Sequence, residues 1–390
     1  MSVTAPDGFR ASGVVAGLKE SGRPDLALLV ADREASAAGL FTTNAFPAAP
    51  VTVSQRHLLK GRARAVVINS GQANAATGEI GIKDAETTCA ALSTAIGVEP
   101  DEVLVCSTGV IGPRVKMTEL TTALPTAVAD LSEGGGPWFA EAILTTDTVA
   151  KQTVMEGVGF TVGGCAKGVG MIAPQLATML AVLTTDVEVD PKILDTAMRR
   201  SVAPVFNGLT VDGCTSTNDT VFILASGASG VRADPGTPQL GILEAALHEA
   251  AKDLVHQIQV DAEGATKALA VQVAGAHTGE DAARVAREVA SSMLVKTAVF
   301  GGDPNPGRIL QAVGSSGVPI IPGRVSILLA GHQVIAGGVV VTFDEPACAE
   351  ALKERDVAIE VDLGLGSEQA TAFGCDLGYE YIRINAEYTT

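Results

Sequence analysis

Apolar residues recur along this chain in two patterns. Short, nearly continuous apolar runs rich in β-branched residues predict strands at Ala65 to Ile68, Thr220 to Ala225, Leu269 to Val273, Val325 to Leu329 and Val357 to Val361. Longer stretches repeat their apolar positions at helical spacing, and they predict helices over Lys83 to Ile96, Leu240 to Ile258 and Asp281 to Met293. A further helix is expected to start at Asp190, whose side chain can cap the first turn ahead of Pro191, and to run to Arg200. Gly, Pro and small polar residues crowd Gly157 to Pro174 and then give way to Thr178-Met-Leu-Ala-Val-Leu183. This shift predicts a loop feeding a buried strand with Thr178 at its first position. The interleaving makes the fold mixed α/β and leaves strand order open, and neither a repeat period nor a Pro/Ser linker marks a boundary.

Composition narrows the function classes. Of 390 residues, 47% are hydrophobic and 18% charged, which is ample for a buried core and excludes a disordered chain. Aromatics make up 4%, with Trp138 the single tryptophan, so the core has to be built from aliphatic residues and alanine. A formal net charge of -17, with no local block of Lys and Arg to reverse it, repels a phosphate backbone or an anionic membrane. No nucleic-acid or membrane partner is therefore expected. The opening MSVTAPDGFR lacks the basic-then-apolar order of a secretion signal, and the most apolar stretch, Gly168 to Leu183, is broken by Pro174, Gln175 and Thr178. A soluble, cytoplasmic protein is expected. Cys89, Cys106, Cys165, Cys214, Cys348 and Cys375 stand far apart without a CxxC pair, and the five histidines show no metal-ligand spacing. Reduced thiols and the absence of a metal site follow as expectations.

The sequence becomes specific at Lys167-Gly-Val-Gly-Met171 and Ala177-Thr178. Together with Asn69-Ser-Gly71, Ser107-Thr-Gly-Val-Ile-Gly112, Thr145-Thr-Asp-Thr148, Asp261 to Lys267, Asp303-Pro-Asn305 and the terminal Asn385-Ala-Glu-Tyr-Thr-Thr390, these strings resemble the glutamate N-acetyltransferase family, also called ornithine acetyltransferase. Each string is weak alone, and their occurrence in order over nearly the whole length is what identifies the resemblance. The chain departs from the family's usual pattern at Pro306, where Trp is frequent, and at Gln72, where Asn is frequent. Neither is a position to which a catalytic role carries over.

The resemblance implies an enzyme of arginine biosynthesis with a mixed α+β fold, a two-lobed, layered α-β-β-α sandwich of the ornithine acetyltransferase and DmpA-like type. It implies a self-cleaved N-terminal nucleophile enzyme, cut between Ala177 and Thr178 into an α chain, 1–177, and a β chain, 178–390, assembled as an α2β2 heterotetramer. Thr178 is then the nucleophile, and its freed α-amine, with a pKa near ~8, is the base. Thr108 and Gly109 match the oxyanion-hole pair, a hydroxyl and a backbone N–H aimed at developing negative charge. Thr145, Lys167, Thr178, Glu263, Asn385 and Thr390 match substrate-binding positions. Lys167 is read as a loop cation, Glu263 as a partner for the ammonium of ornithine, and Asn385 and Thr390 as parts of a tail folded back onto the site. Asp303 and Arg308 receive no role.

The implied reaction is ping-pong transfer of acetyl from N-acetylornithine to glutamate without metal or organic cofactor, with acetyl-CoA a further possible donor. Three alternatives differ from this. A monofunctional transferase would refuse acetyl-CoA, a related self-processing aminopeptidase would pass the acyl group to water, and a non-catalytic binding protein would do no chemistry. The Lys167-Gly-Val-Gly-Met171 string and the terminal hexapeptide favour the transferase.

Overall fold

The structure, a computed structural model, describes residues 2–173 and 179–387. Ala177, Thr178 and Thr390 lie outside the described residues.

Strands β1 (Phe9–Val14), β2 (Leu26–Phe41), β3 (Arg62–Gln72), β4 (Val103–Val110), β5 (Lys151–Glu156), β6 (Thr161–Lys167), β7 (Leu180–Thr185) and β8 (Thr220–Ala225) form an 8-stranded sheet. Its order is β4-β3-β2-β8-β7-β6-β5, with β1 paired to β2. The pairs β3–β4 and β7–β8 are parallel, and the others are antiparallel. A second, 6-stranded sheet takes β9 (Ala268–Ala276), β10 (Ser326–Leu329), β11 (His332–Ala336), β12 (Val339–Val340), β13 (Asp356–Asp362) and β14 (Glu368–Cys375) in the order β12-β11-β10-β13-β9-β14. The fold is thus mixed α/β with two sheets.

Side-chain alternation along each strand explains how the helices cover these sheets. In β7 and β8, Ala181, Leu183, Val221 and Ile223 pack into one core with α5 (Pro191–Ser201), α6 (Ala203–Asn207) and α7 (Pro238–Asp261), which follow α1 (Ala49–His57), α2 (Gly78–Ile96), α3 (Met117–Ala129) and α4 (Gly136–Ala142) along the chain. The intervening Leu180, Val182, Phe222 and Leu224 face the opposite way, into a core that includes β1 and α4. The second sheet is half-exposed. Val357, Ile359 and Val361 of β13 are buried against α8 (Gly279–Ser291), α9 (Met293–Gly301), α10 (Pro306–Ser315) and α11 (Glu345–Ala351), whereas Asp356, Ala358, Glu360 and Asp362 are exposed. A short α12 (Tyr379–Glu387) ends the described chain. Among the described residues, no helix is long and apolar enough to cross a membrane.

The helix expected from Asp190 is present, because Asp190 Oδ1 accepts the Lys192 N–H at 2.9 Å and Pro191 fills the first turn. The helix expected over Asp281 to Met293 stops at Ser291, because Ser292 becomes extended and caps α9. A larger correction concerns Gly157 to Pro174, expected to be loop. It contains β6, a buried strand whose glycines are there for space. A Cβ on Gly163 would collide with the Ser2 carbonyl, and one on Gly164 with Leu183.

Candidate functional site

One end of the first sheet gathers the chemistry. The C-terminal ends of β4 and β6 carry Thr108, Gly109 and Lys167, and β7 starts beside them because Lys167 pairs with Leu180 across the β6–β7 ladder. The turn before β5 brings Thr145 and Thr146, the residues after α7 bring Glu263, and α12 brings Tyr381 and Asn385. These side chains line a cavity of about 170 Å³ together with Met171, Asp212, Cys214 and Asn218. Thr108, Gly109, Thr145, Lys167, Glu263 and Asn385, matched one by one from scattered motifs, thus share one space. Ala177, Thr178 and Thr390 lie outside the described residues.

Gly109 occupies a position that only glycine suits. Its φ of 125° lies in the left-handed region, and a side chain there would run into the Gly71 backbone, its partner in the β3–β4 register. Beside it, the strand end is tied down by Asn218, whose Nδ2 donates to the Ser107 carbonyl at 2.9 Å and to the Ala73 carbonyl at 2.6 Å. Ser107 in turn donates to Asn69 Oδ1 at 2.6 Å, which gives the Asn69-Ser-Gly71 string a structural reason.

Lys167 differs from expectation. It is the last residue of a strand, not part of a loop, and 3% exposed. Its Nζ donates to Thr145 Oγ1 at 2.7 Å and to Thr108 Oγ1 at 3.2 Å, and lies 3.9 Å from Asp147 Oδ2. Accepting from the ammonium leaves the Thr108 hydroxyl proton free to donate elsewhere. Burial pushes the Lys167 ammonium below the ordinary lysine range, and the Asp147 carboxylate works against that. At the other wall, Glu263 Oε1 accepts from Thr146 Oγ1 at 3.1 Å and Oε2 from Asn385 Nδ2 at 3.0 Å.

Four site residues were missed from the sequence. Asp147 lies inside the Thr145-Thr-Asp-Thr148 string but drew no role. Its buried carboxyl is held at about 2: burial would raise it, but Lys167, Lys151 and the Gly168 N–H outweigh that. Asp212 accepts the Met171, Ile172 and Cys214 N–H groups and the Tyr381 hydroxyl, and so holds the turn in which Met171 has a φ of 54°. Asp219 accepts the Met179 N–H at 2.9 Å. Burial pushes that carboxyl well above the usual carboxylate range. Asp212 and Asp219 stand in the polar run Asp212-Gly-Cys-Thr-Ser-Thr-Asn-Asp219, directly before a largely apolar strand, and this contrast was the available signal. Tyr381 had no such signal. Asp303 and Arg308 do not line the cavity.

A hydroxyl and a glycine lie beside a buried lysine at the strand ends of a two-sheet α/β framework. The chain belongs to the ArgJ family, whose family model matches residues 10–390. It is 46% identical over 391 residues to the arginine biosynthesis bifunctional protein ArgJ of Thermobifida fusca, covering 100% of both chains. It is 48% identical to the protein of the same name from Mycolicibacterium paratuberculosis, covering 100% of this chain and 96% of that one. Among solved structures it is similar to the arginine biosynthesis bifunctional protein ArgJ of Bacillus halodurans, at 40% identity and a TM-score of 0.51 over 53% of this chain and 97% of that one. The family read from the motifs is the family found.

Proposed function

We propose that this protein transfers the acetyl group of N-acetylornithine to glutamate through an acetyl-Thr178 intermediate, after cutting itself between Ala177 and Thr178. The observation that carries this reading is the convergence of Thr108, Gly109, Thr145, Lys167, Glu263 and Asn385 on one cavity. In the maturation step the Thr178 hydroxyl attacks the Ala177 carbonyl and the acyl group moves from nitrogen to oxygen. Water then hydrolyses the ester, leaving a free amine on Thr178. The described strands on either side of the cut share one sheet, β6 with β7 and β2 with β8, which supports two chains that stay associated.

In the transfer step Thr178 Oγ attacks the acetyl carbonyl while its own amine takes the hydroxyl proton. The Thr108 hydroxyl and the Gly109 N–H stabilise the oxyanion. The carbon–nitrogen bond breaks, the proton passes to the departing nitrogen, and ornithine leaves. The glutamate amine then attacks the ester, N-acetylglutamate departs, and Thr178 Oγ regains its proton. Lys167 supplies the cation for the substrate's carboxylate end, Glu263 pairs with the ornithine ammonium, and Thr145, Asn385 and Thr390 complete the site. The scheme needs no metal or organic cofactor. Acetyl-CoA can charge the same threonine, which makes the protein bifunctional. An α2β2 assembly in the cytoplasm completes the reading.

Intact mass under denaturing conditions, with the first residue of each fragment, tests it. Two chains are expected, the second starting at Thr178, with Thr178→Ala remaining uncut and forming no acetyl-enzyme. A Thr178→Ala protein that cleaves and transfers would sink the scheme. Turnover with acetyl-CoA as sole donor separates bifunctional from monofunctional enzyme. Release of amines from amino-terminal amides, without transfer to glutamate, would point to an aminopeptidase instead.

A further inference from the structure

Behind the cavity wall lies a buried ionic chain. Asp147 Oδ1 accepts from Lys151 Nζ at 2.7 Å and from the Gly168 N–H at 2.7 Å, and Oδ2 accepts from the Thr145 N–H at 3.2 Å. Lys151 Nζ continues to Asp261 Oδ2 at 2.6 Å, and Asp261 also accepts from the Thr148 N–H and hydroxyl. The side chains of Asp147 and Lys151 are 0% exposed and that of Asp261 is 6% exposed. Each end of this chain touches a site element. Asp147 fixes the backbone of Thr145, the turn after Lys167 and, at 3.9 Å, the Lys167 ammonium, while Asp261 is two residues before Glu263. Buried ion pairs contribute little to stability on balance, because desolvation offsets their attraction. A chain of them built directly behind a reactive pocket therefore calls for another reason.

We propose that Asp147 is a positioning residue of the transferase site, holding Lys167 and Thr145 on one side and, through Lys151 and Asp261, the Glu263 wall on the other. This rests on the acetyl-transfer reading. Asp147 never enters the cavity. It acts by keeping the Lys167 ammonium charged and aimed at the Thr108 and Thr145 hydroxyls.

The sign of its effect is open to measurement. Lys167 is faced by Asp147 from the turn before β5, by Lys151 of β5, by Glu263 after α7 and by Asp219 just before β8. Lys19, in the loop after β1, also feels it: burial pushes Lys19 down to about 8, and Lys167 adds to that. Removing the negative charge in Asp147→Asn lowers the pH at which Lys167 loses its proton. Removing the positive charge in Lys151→Gln raises it. Two substitutions in one network thus pull in opposite directions, and a purely structural role has no such signature.

The experiment has two readouts on the full chain. One is the alkaline limb of kcat/KM for acetyl transfer. The other, independent of activity, is the pH dependence of Lys167 acetylation by trace acetic anhydride, read by mass spectrometry. Asp147→Asn is expected to lower kcat/KM on the order of tenfold or more at neutral pH. It should move both midpoints down, and Lys151→Gln should move them up. Asp147→Glu should restore part of the loss. Midpoints that stay put, or that move the same way in both variants, overturn the proposal. If Asp147→Asn fails to fold, Lys151→Gln decides alone by moving the Lys167 midpoint up or leaving it. A wild-type protein that transfers no acetyl group, while the variants' Lys167 acetylation midpoints shift as expected, would instead defeat the acetyl-transfer reading.

Discussion

Two groups of buried lysines sit in this molecule, and they are used differently. Lys167 and Lys151 meet carboxylates and hydroxyls next to a cavity: Asp147, Asp261, Thr108 and Thr145. Lys267 and Lys296 meet backbone. Lys267 Nζ donates to the Val299 carbonyl at 2.5 Å, and Lys296 Nζ donates to the Cys375 carbonyl and lies 3.5 Å from Cys375 Sγ. Between them Asp376 accepts the Thr266 and Lys267 N–H groups at 2.8 and 3.1 Å. Neither of these two lysines lines the cavity. Burial lowers the Lys267 ammonium as it lowers Lys167. A depressed lysine is therefore no mark of function by itself. The partners make the difference. A lysine satisfied by main-chain carbonyls clamps α9 to the end of β14, while one satisfied by hydroxyls can pass polarity on to a ligand.

The largest effect expected from that contrast is on Thr108. Thr108→Val keeps the shape and removes the hydroxyl that links Lys167 to the proposed oxyanion position. It should cost roughly 3 kcal/mol of transition-state stabilisation, on the order of a hundredfold in kcat. Steady-state rates with acetylornithine and glutamate measure it, and a kcat within a few-fold of wild type would remove Thr108 from the mechanism. The second effect belongs to the clamp. Lys296→Met keeps the aliphatic stem and strands the buried Cys375 carbonyl, so unfolding free energy should fall by about 1–3 kcal/mol. Turnover per folded molecule should stay within about twofold, as for a change that leaves the site's own contacts intact. A stable Lys296→Met protein with collapsed turnover would erase the distinction between the two groups.

Local pattern carried much of the fold. The strand Thr220–Ala225 was legible residue for residue, because a short, nearly continuous apolar run with β-branched residues, bounded by polar ones, favours a buried strand. Strand β6 was not legible. Its glycines lower strand propensity, and the reason for them is the approach of Ser2 and Leu183 from distant parts of the chain. The site divides the same way. Thr108, Gly109, Thr145, Lys167, Glu263 and Asn385 were read from short strings, and the cavity brings them together. Their supports were hidden, since Lys151 reaches Asp261 across 110 positions and Tyr381 reaches Asp212 across 169. No window of sequence shows such pairs. The location of Lys167 failed for a related reason, because Gly-rich neighbours read as loop while tertiary packing buries them.

The smallest expected effect tests a third way of holding the site, by a neutral hydrogen bond. Helix α12 has no buried residues, yet it supplies Asn385 to the cavity. Its anchor is the Tyr381 hydroxyl, which donates to Asp212 Oδ2 at 3.1 Å, while the same carboxylate holds the Met171 turn. Tyr381→Phe removes that one bond and leaves the ring in place. The loss should be about 1 kcal/mol, seen as a roughly fivefold rise in KM with kcat unchanged. Burial and the Asp212 charge push the Tyr381 phenol above the ordinary tyrosine range, so it stays neutral up to at least about pH 10. The phenol therefore keeps the proton of this hydrogen bond between about pH 7 and pH 9.5. The Tyr381→Phe deficit should therefore be flat across that interval. A deficit in kcat, or one that grows with pH, would mean that Tyr381 acts on the charged centre of the site and does not simply hold the helix that closes it.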